Sequence, residues 1–202
     1  MGRIIDMEGD NIQDAARIPK FNGLKLKTDY FYYSNNENDR LYTFYLSGAN
    51  ALIHAQKLKE MGGFYEIFSP FYCEDMELSI RAWRLRWKCY YEHNAVCRHQ
   101  VSASTKNYQT AKWVKSIHLE GLMLAIWYLQ ITLIDLLPKL LIGQTWIWKS
   151  YRELFTNRKT ISRYKQQIND LMEKHDSHVS IFNVVNKIRN SVSKKKYTRF
   201  KP

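Results

Sequence analysis

The sequence predicts an α/β fold: a partial mixed sheet with flanking helices over the first half, followed by a helical, membrane-proximal appendage. Three observations carry this expectation. Short runs of strand composition alternate with helix-period segments through residue 100. The chain is 45% hydrophobic and 14% aromatic, enough to bury a core. The charge is divided unevenly, with 14 Lys and Arg against 4 Asp and Glu from Lys149 to Pro202, which leaves +2 of the total +12 on residues 1–148. The predicted organisation is an α/β unit over 1–110, an apolar to amphipathic helical segment over 111–148 and a basic helical tail over 149–202.

Residues 3–20 read as a short strand, an acidic turn at Glu8-Gly9-Asp10 and a second short element. They lack the apolar run of a secretory signal, so none is expected. "YFYYSNNENDR" (30–40) reads as a loop rich in turn formers, and "LYTFYLSGANALI" (41–53) has strand composition that breaks at Ser47-Gly48. "HAQKLKEMGG" is a short helix stopped at Gly62 or Gly63. "CEDMELSIRAW" (73–83) opens a helix with Glu74 and Asp75 in its first turn. Met76, Ile80, Trp83 and Trp87 form one apolar face and Leu78, Ala82 and Leu85 another, with Glu77, Arg81, Arg84 and Lys88 on a polar strip between them. A helix apolar on two sides fits between layers. "KCYYEHNAVCRHQ" (88–100) returns to strand character. Cys73, Cys89 and Cys97 form an odd set with no C-x-x-C pair, which points to free thiols in a reduced, cytosolic setting.

Glu74 and Asp75 admit two readings. Acids in a first helical turn are favoured by the helix dipole and by capping alone. Equally, a carboxylate at the mouth of an enclosed helix can accept a proton.

Four segments taken together resemble the second half of a family 2 glycosyltransferase with the GT-A fold: "LSGANALI" (46–53), "MGGFYEIF" (61–68), "CEDMELSIRAWRLRW" (73–87) and "NAVCRHQVSAS" (94–104). Their order and spacing match that family over residues 41–104, and "DNIQDAA" in the first forty matches more loosely. The resemblance implies inverting transfer of a sugar from a nucleotide-sugar to a glycan or lipid-linked acceptor, as in envelope or capsular polysaccharide synthesis. It implies Asp75 as general base and Glu74 as its companion in orienting the acceptor. Ser47, Gly48, Ala49, Asn50 and Gly63 would then line the acceptor side, and His99 would approach the metal or diphosphate. A divalent metal, Mg2+ or Mn2+, is implied as cofactor. The family's D-x-D metal motif is missing from this sequence; Asp6-Met7-Glu8 is a D-x-E beside a Gly-Asp turn. The match is therefore to an acceptor-side half, and a complementing N-terminal half would bind the donor and most of the metal. The Q-x-x-R-W motif of processive synthases is also missing; "RLRW" (84–87) lies within the helix that opens at Glu74.

"GLMLAIWYLQITLI" (121–134) has no formal charge over fourteen residues, short for a membrane span. Tyr128, Thr132, Asp135 and Lys139 share one stripe, giving a broad-faced amphipathic helix. It fits core packing, docking on an anionic membrane with help from the basic tail, or a span. His175 and His178 in "HDSH" read as a solvated helix face, and "SKKKYTRFKP" as a mobile tail. The leading expectation is a cytoplasmic protein, peripheral on the inner membrane face. A non-catalytic membrane adaptor and a basic nucleic-acid-binding protein compete with it. No nucleic acid is expected, because helix-turn-helix, RNP and zinc motifs are all missing.

Overall fold

The computed structural model describes residues 1–23, 25–36, 38–69, 73–100, 110–144, 146–193 and 195–201. The architecture is mixed α/β. Strands β1 (Gly2–Ile5), β2 (Ile12–Asp14), β7 (Leu41–Tyr42) and β8 (Tyr90–Arg98) form a sheet in the order β2-β1-β8-β7. The β1–β8 pair is parallel and the other two are antiparallel. Gly2 is required where β1 meets β8, since a Cβ there would lie 2.1 Å from the Ala95 carbonyl oxygen and 2.5 Å from Asn50 Nδ2. A second, antiparallel sheet joins β3 (Ala16–Arg17), β6 (Phe31–Tyr33) and β9 (Thr198–Phe200), and β4 (Lys20–Asn22) pairs with β5 (Lys25–Lys27).

Three expectations change here. The 30–40 segment begins as strand β6, because Phe31 and Tyr32 are buried and Tyr32 donates its hydroxyl to the Tyr42 carbonyl; the polar loop starts only at Ser34. The C-terminal end is not a free tail. Phe200 stacks on Phe31 at 5.4 Å between ring centroids, and β9 completes the sheet. In the 41–53 run only Leu41 and Tyr42 are strand; the chain then leaves the sheet to meet a helix.

That helix is α2 (Glu74–Arg84), and it is buried on all sides from Glu77 onward. The layered placement expected for it holds, but the polar strip does not face water. Arg81 donates to both Glu77 oxygens, at 3.1 and 2.7 Å, and to the carbonyls of Met61 at 2.5 Å and Gly63 at 2.8 Å. Its guanidinium also lies 3.7 Å from the Tyr65 ring centroid. Those two carbonyls come from the turn that ends α1 (Ala55–Glu60), where Gly62 and Gly63 take positive φ of 80° and 70°. His118, at the end of α3 (Thr110–His118), sits 3.4 Å from Glu77. Arg84 pairs with Glu120 and donates to the Val179 carbonyl at 3.2 Å. Arg86 adopts a left-handed backbone just past the end of α2, so Trp87 and Lys88 lie beyond the helix they were expected to continue.

The basic C-terminal helices share this core. Helix α6 (Trp146–Thr156) leads into α7 (Arg158–Lys174), which buries Ile161, Tyr164, Ile168 and Met172 at helical spacing. Helix α8 (Ile181–Val192) starts at Ser180, whose hydroxyl accepts the Asn183 N–H at 3.2 Å, and buries Val184, Val185 and Ile188. Its Phe182 stacks on Phe21, and Tyr164 stacks on Tyr65. One cluster therefore contains both Phe44 and Ile188, on either side of the charge boundary at residue 148. The positive charges occupy the outer faces of helices whose inner faces are apolar. His175 bonds Glu60 at 3.0 Å, tying α7 to α1, while His178 is exposed.

Between α3 and α6 runs one continuous helix, Gly121–Leu141: α4 (Gly121–Gln130), a π-helical turn (Ile131–Leu136) and α5 (Leu137–Leu141). It is longer than the charge-free run of the sequence suggests, and it is long and apolar enough to cross a membrane. Asp135 does not end it, because this carboxylate is paired with Lys139 one turn on and with the Tyr151 hydroxyl. The helix packs into the core in part, through Trp127 with Leu124, Tyr128 and Ile131 beside it. Trp127 and Leu136 are its buried side chains, and most of its leucines and isoleucines face outward.

Two stability measurements test the α2 core. Glu77→Gln strands the Arg81 guanidinium without its counter-charge and should cost roughly 3–5 kcal/mol in urea unfolding. Burial, the first cause, holds the His118 pKa below its usual value against the opposing pull of Glu77. The folded state therefore prefers neutral His118. Its stabilising preference is complete above the unfolded pKa of about 6.5 and is lost as pH falls below it. The melting temperature should fall more steeply on acidification for the native chain than for His118→Gln.

Candidate functional site at the mouth of helix 2

The N-terminus of α2 is held against the 46–50 turn by two bonds, from the Leu46 and Gly48 N–H groups. Ser79 Oγ donates to the Asp75 carbonyl at 2.6 Å and accepts the Leu46 N–H at 2.9 Å. The Gly48 N–H points to Asp75 Oδ2 at 3.4 Å, a long contact, while Asp75 Oδ1 accepts the Met76 N–H at 2.7 Å. Cys73, the residue before the helix, takes a left-handed backbone with φ 72° and makes no side-chain cap. Asp75 thus bonds the helix's first-turn backbone, as a capping acid does, while its other oxygen faces the turn.

Asp75 is largely enclosed. Burial is the main cause that pushes its pKa up to about 6, with Glu74 and Asp14 adding like-charge repulsion and the Met76 and Gly48 N–H groups opposing the shift. Glu74 Oε2 is shielded and lacks a hydrogen-bond partner. Ser47 and Gly48 stand between two acids: Gly48 meets Asp75, and the Ser47 side chain approaches Asp14 closely enough to favour its carboxylate. Asp14 is buried, which raises its pKa, and the paired Arg17 at 3.0 Å pulls it back. Tyr45 lies close enough to Asp14, Asp75 and Cys73 to feel all three.

The remaining expected site residues divide. Ala49 and Asn50 belong to the same turn, but their contacts run to the sheet. Asn50 Nδ2 donates to the Arg3 carbonyl at 3.2 Å, its carbonyl accepts the Gly2 N–H at 3.0 Å, and the Ala49 carbonyl faces Cys97 Sγ at 3.8 Å. Gly63 shapes the α1 turn and feeds its carbonyl to Arg81. His99 is exposed at the end of β8, its N–H bonded to the Ile5 carbonyl at 3.0 Å. Residues 70–72 before α2 and 101–109 after His99 lie outside the described residues. The D-x-E is a turn: Asp6 accepts the Gly9 N–H at 2.8 Å and the Asn11 amide at 2.7 Å. Among the described residues no three His, Cys, Asp or Glu side chains converge as metal ligands. Two adjoining clefts of about 130 and 730 Å³ lie elsewhere, between the 34–39 loop, the start of β8 and Lys195–Thr198, and neither is lined by Asp75.

Asp14 and Tyr45 were missed at the level of sequence. A buried acid in "IQDAAR" is a detectable oddity, since Asp is rarely enclosed without a partner, and Arg17 three residues on is that partner.

The raised pKa has a consequence independent of any activity. The folded pKa of about 6 exceeds the unfolded value of about 3.9, so ionised Asp75 penalises the fold above pH 6 and the penalty disappears below pH 4. Asp75→Asn should stabilise the protein by roughly 1–3 kcal/mol at pH 8 and by nothing measurable at pH 3.5. Carboxyl-carbon NMR titration of Asp75 would check the midpoint directly.

Compared with known proteins, the chain matches no family model, no curated protein and no solved structure.

Proposed function

We propose that this chain is the acceptor-side half of an inverting glycosyltransferase of the GT-A type, with Asp75 as general base. The observation that supports it best is a largely buried carboxylate at the mouth of α2 whose pKa is pushed up to about 6. A base with that pKa is mostly ionised at neutral pH, yet basic enough to take a proton from a sugar hydroxyl as its oxygen attacks an anomeric carbon. In this reading the Met76 N–H fixes Oδ1, leaving Oδ2, weakly held by Gly48, as the oxygen that receives the proton. Glu74 and Asp14 keep the basicity up by repulsion, and Ser47-Gly48 form the floor on which an acceptor rests.

A complementing donor-binding half would hold the nucleotide-sugar, together with the divalent ion that neutralises its diphosphate. The acceptor is a glycan or lipid-linked sugar, and the chain works on the cytoplasmic face of the membrane, where nucleotide-sugars are present.

The test is transfer from a panel of radiolabelled nucleotide-sugars into lipid-extractable or polymeric product, in membranes from cells that express the full chain. Transfer should rise with pH through about 6 and fall about 100- to 1,000-fold in Asp75→Asn. Donor consumption that is unchanged in Asp75→Asn would sink the proposal. So would its complete absence in membranes that also carry the complementing donor-binding half, which would favour a non-catalytic membrane protein.

A further inference from the structure

The helix Gly121–Leu141 is amphipathic with its polarity turned inside out. Two of its polar residues bond the flanking helices. The Tyr128 hydroxyl donates to Ser116 of α3 at 3.1 Å, and Asp135 takes both Lys139 and the Tyr151 hydroxyl of α6. Its other side carries Leu122, Ile126, Leu129, Leu133, Leu137 and Leu141, exposed at 75, 41, 58, 51, 44 and 87%. Only 11% of its most apolar window is buried. At 1.5 Å per residue this stripe runs about 30 Å. A solvated helix has no reason to show a continuous stripe of leucines, so the medium that suits that side is apolar. Helix α6 packs along the second half and exposes Trp148 and Phe155 with Arg152 between them, a mixture suited to the boundary of headgroups and acyl chains. The net charge of +12 supplies attraction to anionic headgroups.

We propose that Gly121–Leu141 lies in the plane of an anionic bilayer, immersed along its leucine stripe in one leaflet, and does not span it. A span would present lipid on every side. Here α3 bonds the first half through Tyr128, and α6 meets the second half through Asp135 and Leu136, so one side of the helix is held against protein along its length. This deepens the membrane-face placement proposed above and rests on that placement alone; no donor sugar or turnover enters its test.

The full chain is mixed with vesicles of equal phosphatidylglycerol and phosphatidylcholine, and with phosphatidylcholine alone, and floated on a density gradient. Flotation should be strong with the anionic vesicles and weaker with the neutral ones. Ile126→Glu with Leu133→Glu should cut binding at least about tenfold, with an unchanged melting temperature because both side chains are exposed. Depth is read with an environment-sensitive fluorophore on Leu122→Cys, Leu129→Cys or Leu141→Cys, in a background with Cys73 and Cys97 replaced by serine. Three equal, shallow depths support the in-plane arrangement, and a middle position far deeper than both ends overturns it. Failure to float overturns the proposal. So does a stable dimer in solution that the double Glu variant turns monomeric, which would assign the stripe to a second copy. None of these outcomes alters the Asp75 transfer assay.

Discussion

The Glu77–Arg81 pair is the constraint on which the rest of the structure depends. Two charges withdrawn from water carry a large desolvation cost, and their attraction offsets it only when every remaining polar group is satisfied. Here the guanidinium directs its other donors to the Met61 and Gly63 carbonyls and lays its face on Tyr65. That geometry leaves α2 one rotation and one position along its axis. The α1 turn must present two carbonyls at the right spacing, which the left-handed Gly62 and Gly63 allow. With α2 so placed, Asp75, six residues before Arg81, is set over the 46–50 turn, and Ser79 seals the contact.

Two helices break the usual rule of polar outside and apolar inside, in opposite directions. Helix α2 buries Glu77, Arg81 and Arg84, while Gly121–Leu141 exposes its leucines and bonds Asp135 to Tyr151. The cause is the supply of partners. The core offers α2 carbonyls from the α1 turn and from Val179, so Arg81 and one donor of Arg84 find partners inside. The long helix finds a hydroxyl on each flanking helix and, among the described residues, nothing apolar to cover its far side. A sequence pattern gives the angular separation of polar and apolar residues, but not which side meets the protein.

The environment of Asp75 is assembled from three places in the chain: the first turn of α2, the Ser47-Gly48 turn and the end of β2. Its basicity is a property of that assembly. Remove the neighbours and the carboxylate reverts to an ordinary acid; enclose it without Met76 and Gly48 and its charge would be costlier still. The motif residues thus separate into those that surround this carboxylate, Ser47 and Gly48 with Glu74 beside them, and those whose contacts are architectural. Asn50 stitches β1 to β8, and Gly63 supports Arg81.

The sequence by itself determined the local elements whose causes are local: the α1 stop at its glycine pair, the start of α2 at Glu74, the β8 strand and the helical period of the basic C-terminal half. It also singled out Asp75 and the Ser47-Gly48 break, which the structure sets 3.4 Å apart through the Gly48 N–H. Tertiary structure decided the rest. It made Phe31–Tyr33 a strand, because a partner strand arrives from residues 198–200. It drew the basic tail into the core, because its charges could stay on the outer faces while Val184 and Ile188 faced in. It brought Asp14 near Asp75 from a distant part of the chain, and it chose which side of each amphipathic helix would be buried. Those outcomes depend on what stands opposite a side chain in space, and a periodic pattern along one segment does not contain that information.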